Sequence, residues 1–196
     1  MNGPRVFLHS HRGVYRVIRR TWRDPLDASF SQRKTDNRWN TPEFPALYCC
    51  CSLGVARSVA LDLLRRAGVV LEDLRPEAQP ALAEIRWSGR VVDVASAEGI
   101  AAAGFDSRYP EGATIADTQA KAANWHAAGL QGVVCRSTSM ARQGFDRWVG
   151  DHRRWGELAI FIRDERRKPV LIKRVEDLSW LRVLSRSRRG KWEEHP

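Results

Sequence analysis

The stretch RWNTPEFPALY, residues 38–48, joins a polar loop to an apolar run and is the most informative part of the chain. Pro42 and Pro45 keep the backbone extended, because proline fixes φ and disfavours the helical conformation in the residue before it. The apolar run, residues 46–51, is therefore predicted to be a strand. Asp24-Pro25 breaks the pattern upstream and opens a long polar loop, which carries Arg38 to the start of this strand.

Strands and helices are interspersed irregularly around this stretch. Runs rich in β-branched and aromatic residues predict further strands at 14–18, 81–87, 91–94, 132–137, 157–162 and 169–173. Helical spacing of apolar residues predicts helices at 53–67, 98–103 and 119–128, and residues 138–156 are predicted to be a loop. Long excursions between short strands favour an α+β fold, with a mixed or antiparallel sheet and flanking helices, over a regular βαβ succession.

Local signals place several ends of these elements. Ser52 is a predicted N-cap of the first helix, and Gly68 ends that helix. Asp117 or Thr118 is predicted to cap the third helix. The turn at Ser88-Gly89 predicts that the strands on either side of it pair as a hairpin.

The length and the charge indicate one basic domain with a charged end. The chain has 196 residues, of which 43% are hydrophobic, and this can build one core of ordinary size. We therefore expect a single domain at 1–180 and a basic C-terminal tail at 181–196. Much of the net charge of +10 lies in the C-terminal segment. A solvated tail explains this charge, and contact with nucleic acid or an acidic partner is the alternative.

The four cysteines do not form a metal-binding pattern. Cys49, Cys50 and Cys51 are consecutive and Cys135 stands apart, so no spaced Cys-x-x-Cys pair exists. Buried strand thiols are the main interpretation, with a metal site and a reactive thiol as lesser alternatives. No apolar run approaches the length of about 18 residues that crosses a bilayer. We expect a cytoplasmic protein that makes no membrane contact and holds no metal.

Several motifs occur together in an order that resembles the RES domain family. They begin with Tyr15-Arg16-Val17 and Asp24-Pro25-Leu26, continue through Asn37-Arg38-Trp39-Asn40, Pro42, Pro45 and Tyr48, and end with Asp93-Val94, Asp117-Thr118-Gln119-Ala120, residues 128–133 and Ser137. The family is named for an arginine, a glutamate and a serine. The resemblance implies a fold similar to ADP-ribosyltransferases. It also implies NAD as substrate and kinship with toxins that are paired with helix-turn-helix antitoxins.

The resemblance also implies roles for individual side chains. Arg38 matches the family arginine and would bind the NAD pyrophosphate, assisted by Arg16 and Trp39, because a guanidinium offers paired donors to phosphate. Tyr48 and Ser137 would position the nicotinamide ribose. No Gly-x-Gly-x-x-Gly or Gly-Lys-Ser/Thr motif is present, so side chains must hold the phosphates. Ordinary packing is the alternative at Arg38, Trp39 and Tyr48, and a turn-forming role is the alternative at Ser137.

The family glutamate is missing, because Val59 occupies the position where it is expected. Valine cannot accept a hydrogen bond from ribose or stabilise a positive charge. Glu157 opens a predicted strand after the Ser137 loop and is our candidate for the replacement carboxylate. A structural glutamate paired with an arginine is the alternative. Asp62, one helical turn from Val59, is a second candidate with a shorter side chain.

Two functions of different classes follow. The first is an NAD-cleaving enzyme that breaks the nicotinamide–ribose bond with water, phosphate or a protein side chain as acceptor, acting as the toxin of a toxin–antitoxin pair. The second is a catalytically impaired RES-like module that binds a nucleotide, a nucleic acid or a protein. Water, phosphate and a protein side chain are the alternative acceptors, and a homodimer is one alternative for the oligomeric state.

Overall fold

The computed structural model describes residues 3–10, 12–144, 155–163 and 169–181. Its centre is an eight-stranded sheet with the strand order β1-β5-β6-β7-β3-β2-β4-β8. The pair β5–β6 is parallel, and the other neighbours are antiparallel. This mixed, mostly antiparallel sheet with flanking helices confirms the predicted α+β class.

The elements follow the sequence patterns closely. The strands are β1 Val6–His9, β2 Arg12–Arg19, β3 Ala46–Cys50, β4 Pro80–Arg86, β5 Gly89–Val94, β6 Gly132–Arg136, β7 Gly156–Phe161 and β8 Val170–Val175. The helices are α1 Ser29–Gln32, α2 Leu53–Arg66, α3 Ala97–Ala102, α4 Ile115–Ala127 and α5 Thr138–Arg142. Short 3₁₀ turns occupy Leu71–Asp73, Pro76–Ala78 and Leu178–Leu181.

The two faces of the sheet are covered differently. Helices α2 to α5 bury their apolar residues on one face, which we call the helical face. The opposite face, which we call the loop face, is covered by Trp22, Leu26 and Ala28 from the segment between β2 and α1. Along β3 the side chains alternate between the faces, as the two-residue period of a strand requires. Tyr48 therefore lies on the helical face, and Leu47 and Cys49 lie on the loop face.

The predicted end of α2 and its cap are confirmed. The Ser52 hydroxyl accepts a hydrogen bond from the backbone amide of Val55, which satisfies one of the free donors at the helix start. Gly68 follows the helix with a φ of +65°, a left-handed conformation that glycine adopts without steric cost.

The predicted hairpin at Ser88-Gly89 is wrong. Strand β4 pairs with β2 and β8, whereas β5 pairs with β1 and β6. A two-residue hairpin turn needs at least one positive φ, and Ser88 and Gly89 are not among the described residues that have one. The chain therefore passes from one half of the sheet to the other at this point.

Three further expectations need correction. Helix α4 begins earlier than predicted, because the hydroxyl of Thr114 accepts from the amide of Asp117 and caps the helix. The loop predicted at 138–156 contains the short helix α5, and residues 145–154 lie outside the described ranges. Strand β1 and helix α1, which are too short to show a period, were not predicted.

The C-terminal prediction falls mostly outside the described residues. Of the tail predicted at 181–196, only Leu181 is described, and it is buried in a cluster with Trp180 on the helical face. Within the described ranges, no helix has the length and apolar character needed to cross a membrane. In the same ranges, no group of His, Cys, Asp or Glu side chains is arranged to hold a metal ion.

Candidate active site

Arg38 lies in the loop before β3, and the side chain of Tyr48 holds this loop in place. The backbone amide of Trp39 donates to the Tyr48 hydroxyl at 2.9 Å. That hydroxyl in turn donates to Oδ1 of Asn40 at 2.9 Å. Burial raises the pKa of Tyr48 above its ordinary value, so the phenol keeps its proton at neutral pH. The Tyr48 side chain thus holds both the Arg38–Trp39 peptide and the side chain of Asn40.

The guanidinium of Arg38 contacts two side chains from distant parts of the chain. Its Nη2 lies 3.2 Å from Oε2 of Glu157, and its Nη1 donates to the Tyr109 hydroxyl at 3.2 Å. The side chains of Arg38 and Glu157 remain 20% and 17% exposed. The ion pair is therefore largely shielded from water but still reachable from solvent.

Ser137 completes this group from the end of β6. Its hydroxyl donates to Oε1 of Glu157 at 2.7 Å and accepts from the amide of Met140 at 3.2 Å, which caps α5. The Ser137 side chain is buried. Both carboxylate oxygens of Glu157 are thus engaged, one by an arginine and one by a hydroxyl, and its orientation is set by two independent contacts.

The pairing of strands explains why Glu157 lies at the centre of this group of side chains. It stands opposite Cys50 of β3 and opposite Cys135 of β6, so it lies in the middle strand of three on the helical face. The apolar cluster around Trp39 and Trp125 lies to one side, and the cluster of α2 and α5 lies to the other. We call Arg38, Tyr109, Ser137 and Glu157 the central cluster. It occupies the boundary between these two apolar clusters.

Trp39, predicted to help bind the substrate, is packed inside the protein. Its side chain is 1% exposed and stacks on Trp125 with ring centroids 5.8 Å apart. Its indole N–H donates to Sγ of Cys135 at 3.2 Å. Burial raises the pKa of the Cys135 thiol to about 11, so this sulfur stays protonated. In this structure the contribution of Trp39 is to anchor the loop that carries Arg38.

Arg16, also predicted to contact phosphate, lies on the loop face. Its guanidinium donates to the carbonyl oxygen of Pro25 at 2.6 Å and to that of Asp27 at 3.1 Å. Its alternation along β2 places it with Val14 and Ile18, on the other side of the sheet from Glu157. The structure therefore brings Arg38, Ser137 and Glu157 together, with Tyr48 beside them, and does not bring Arg16 to them.

Neither Val59 nor Asp62 contributes to the central cluster. Val59 packs against the apolar cluster of α2 and α5. Asp62 is fully buried and binds Arg65, Arg66, Arg142 and Ser139 at the contact between α2 and α5. Its carboxylate therefore joins two helices.

This buried carboxylate should make the protein less stable in acid. Burial raises the pKa of Asp62, but hydrogen bonds from Arg65, Arg142 and Ser139 outweigh this and hold it below its ordinary value of 3.8. The pKa of Asp62 is lower in the folded protein than in the unfolded chain. The stabilisation from its carboxylate is therefore complete above the pKa of the unfolded state and is lost as the pH falls through the pKa of the folded state. We expect Asp62→Asn to reduce the free energy of unfolding at neutral pH by about 1–3 kcal/mol, since the arginine partners are half exposed.

Chemical unfolding between pH 3 and pH 7 would measure this effect. The Asp62→Asn protein should also lose less stability than the native protein when the pH is lowered from about 7 to about 3. Asp106→Asn is a suitable control, because Asp106 forms an ion pair with Arg108 at the surface and its loss should leave unfolding unchanged within error. Equal effects of the two substitutions would contradict this account of Asp62.

Tyr109 is the member of the central cluster that sequence reasoning missed. It lies in an irregular segment between α3 and α4, where neither period nor motif marks it. Its ring is buried beside Trp39 and Phe105, and its hydroxyl accepts from Arg38. The side chain therefore orients the guanidinium, with Nη2 directed at Glu157.

Comparison with known proteins identifies similar chains. A model of the family described as RES domain matches residues 13–180. The fold is similar to a chain in the crystal structure of the M. tuberculosis MbcT–MbcA toxin–antitoxin complex, with a TM-score of 0.68 and 20% sequence identity. The similarity covers 87% of this chain and 85% of that one. A comparison with curated proteins gives no match.

Proposed function

The chain belongs to the RES domain family, and from this premise we propose that it binds NAD at the central cluster and breaks the bond between nicotinamide and ribose. The observation that carries the proposal is the double engagement of Glu157. One of its oxygens meets Arg38, which matches the family arginine, and the other meets Ser137, which matches the family serine. A carboxylate thus stands between two matched positions although Val59 replaces the family glutamate.

The chemistry of the substrate suits these three side chains. Cleaving the nicotinamide bond develops positive, oxocarbenium-like charge on the ribose, and a fixed carboxylate stabilises that charge more in the transition state than in the ground state. Glu157 supplies such a carboxylate, held in position before the substrate arrives. Arg38 supplies a guanidinium that can bind phosphate oxygens.

In this proposal Arg38 contacts both Glu157 and the NAD pyrophosphate. Its two terminal nitrogens contact Glu157 and the neutral Tyr109 hydroxyl. A phosphate that approached the exposed part of the guanidinium would compete most easily with the neutral hydroxyl, because the contact with Glu157 adds the attraction between opposite charges that the hydroxyl lacks. The proposal therefore has Glu157 keep its contact with Arg38 while the pyrophosphate binds.

Ser137 and Tyr48 act as positioning residues in this scheme. The Ser137 hydroxyl already donates to Glu157 and so directs the second carboxylate oxygen. Tyr48 holds the peptide next to Arg38. Both contacts limit the motion of the charged groups, and such preorganisation lowers the cost of reaching the transition state.

We expect Arg38→Lys to weaken NAD turnover. Lysine keeps a positive charge near Glu157 but loses the planar fork that binds Tyr109, Glu157 and phosphate together. The loss of a charge-assisted hydrogen bond of about 1.5–3 kcal/mol corresponds to about a ten- to hundredfold fall in kcat/KM. The measurement is nicotinamide released from NAD by purified protein, with and without inorganic phosphate to identify the acceptor.

The matched control is Arg90→Gln, since Arg90 is exposed and lies on β5. If the Arg38→Lys protein turns over NAD at the native rate, Arg38 is not part of the site. Absence of turnover in the native protein, together with measurable NAD binding, would support the second function instead.

The second function is a RES-domain module that binds without cleaving. Two observations favour it: Val59 is committed to apolar packing, and the charge of Glu157 is already paired with Arg38. In that case the ion pair is a structural link between the loop before β3 and strand β7. The nicotinamide assay separates the two functions directly.

The biological setting that we propose is a cytoplasmic toxin with a protein antitoxin. The support is the fold shared with a chain of a toxin–antitoxin complex and the family itself. Expression of the chain should slow bacterial growth, and Glu157→Gln should relieve the effect at equal protein levels. Growth inhibition that persists in this variant would separate toxicity from the cleavage that we propose.

A further inference from the structure

The loop face carries a second feature, a cavity of about 350 Å³ next to the segment between β2 and α1. Its walls include Trp22, Phe30, Arg23 and Arg33. Trp22 packs on the apolar cluster of the loop face, whereas Glu157 lies on the helical face. The cavity and the central cluster are therefore separate sites. Its volume lies within the range of about 300–1,000 Å³ that is common for small-molecule sites.

Two aromatic rings form one wall of this cavity. Trp22 and Phe30 have ring centroids 6.3 Å apart and planes inclined by 50°. Trp22 is partly buried, which fixes its indole, while Phe30 is 46% exposed. An exposed phenyl ring beside a fixed indole offers flat apolar surface on which a planar ring can stack.

Positive groups surround the two rings. The Arg16 guanidinium lies 5.2 Å from the centre of the Trp22 ring. The Arg33 guanidinium and the Lys34 ammonium lie 5.7 Å and 5.5 Å from the centre of the Phe30 ring. Arg23 adds a further cation to the wall. Such an arrangement attracts a ligand that combines a flat ring with negative charge.

The acidic residues of the cavity shape its loop. Oδ1 of Asp24 accepts from the amide of Leu26, and Oδ1 of Asp27 accepts from the amide of Ser29. These short-range contacts are typical of turns. The walls themselves hold two guanidiniums, Arg23 and Arg33, against these two carboxylates. The positive excess comes from Arg16 and Lys34, which lie against the two rings outside the walls.

Side chains from two strands of the sheet bind the loop that forms this cavity. Arg16 on β2 donates to the carbonyl oxygens of Pro25 and Asp27. Arg174 on the edge strand β8 donates to the carbonyl oxygen of Trp22 at 2.7 Å. The loop is thus tied to two strands, and a ligand would meet a preformed surface.

We propose that this cavity binds a nucleotide, with its base stacked on Phe30 and Trp22 and its phosphate near Arg23 and Arg33. Stacking on aromatic side chains beside cations is the way in which proteins bind unpaired bases with little sequence preference. The nucleotide can be free or part of a single-stranded nucleic acid. The site is independent of the NAD cleavage proposed above.

Direct binding measurements test the site. The probes are AMP, measured by calorimetry, and a short fluorescein-labelled oligo(A) RNA, measured by fluorescence anisotropy at low and at moderate salt. We expect Phe30→Ala to weaken binding about tenfold, because a stacked base loses its platform. Arg33→Gln should weaken binding and reduce its salt dependence by about one phosphate contact. Adenosine, which lacks the phosphate, should bind more weakly than AMP.

Matched variants control the measurement. Ile115→Ala removes an apolar side chain of similar exposure from α4, and Arg90→Gln removes a cation from β5; both should bind like the native chain. Oligo(A) that binds much more tightly than AMP identifies a strand as the ligand, and equal affinities identify a free nucleotide.

Three results would overturn the proposal. The first is no binding of either probe to the native chain, and the second is equal binding to Phe30→Ala and Ile115→Ala. The third is binding that Arg38→Lys removes and Phe30→Ala preserves, which would place the nucleotide at the central cluster. Because Phe30 lies outside that cluster, Phe30→Ala should leave NAD turnover unchanged, and the two proposals can fail separately.

Discussion

Glu157→Gln is expected to lower the rate of nicotinamide release by about two to three decades, the usual effect of losing one preorganised electrostatic partner. Glutamine keeps the size and shape of the side chain: its Oε1 can accept from Arg38, and its Nε2 can donate to the Ser137 hydroxyl, which in the native protein donates to Glu157. What it removes is the negative charge opposite the developing positive charge on ribose. The effect should appear in kcat and kcat/KM together, because the interaction strengthens in the transition state.

A matched glutamate makes this test specific. Glu84 lies on β4, which is separated from β7 by β3 and β2 in the sheet, so Glu84→Gln should keep full activity. Thermal unfolding of both variants would show whether the fold is preserved. Full NAD turnover by a folded Glu157→Gln protein would assign the residue to structure alone.

Trp39→Ala should cost about 3–5 kcal/mol of unfolding free energy, the range found when a large buried aromatic is removed. The ring is 1% exposed, stacks on Trp125 and meets Phe105 edge to face. The substitution also removes the N–H that donates to Cys135. The whole free energy of unfolding of a domain is about 5–15 kcal/mol, so much of the stability would be lost. Denaturant unfolding measures the change.

Two other variants separate packing from substrate contact at this position. Trp155→Ala, at a residue that is 37% exposed, should cost much less. Trp39→Phe keeps most of the buried ring and should retain both the fold and NAD binding. A Trp39→Phe protein that folds normally but no longer binds NAD would show that the indole contacts the substrate, contrary to its burial.

Much of the candidate site could be predicted from short motifs, and the error in the predicted position of Arg16 has a physical origin. Arg38 and Ser137 were identified through the family motif, and Glu157 through its place at the start of a strand. Arg16 was grouped with them, but it lies on the other face of the sheet. Which face a strand residue occupies depends on register, and Tyr15 pairs with Cys50. A shift by one residue would have reversed every side chain of β2.

Tyr109 and the hairpin illustrate the same limit. Tyr109 reaches Arg38 across 71 positions of the chain from an irregular segment, where sequence carries no periodic signal. The turn at Ser88-Gly89 has hairpin composition, yet β4 and β5 find their partners elsewhere in the sheet. Local chemistry permitted a hairpin, and the long-range pairing of strands decided against it.

The sequence by itself determined the α+β class, most strands, the ends of α2 and the family, because these depend on period, capping and local motif. Only the tertiary structure decided that Glu157 stands between Arg38 and Ser137, that Trp39 is a core residue and that Arg16 lies on the loop face. These facts arise from strand order and register, which bring Arg38 and Glu157 together across 119 positions of the chain. Contacts at such distances depend on how the whole sheet closes, and no local pattern encodes them.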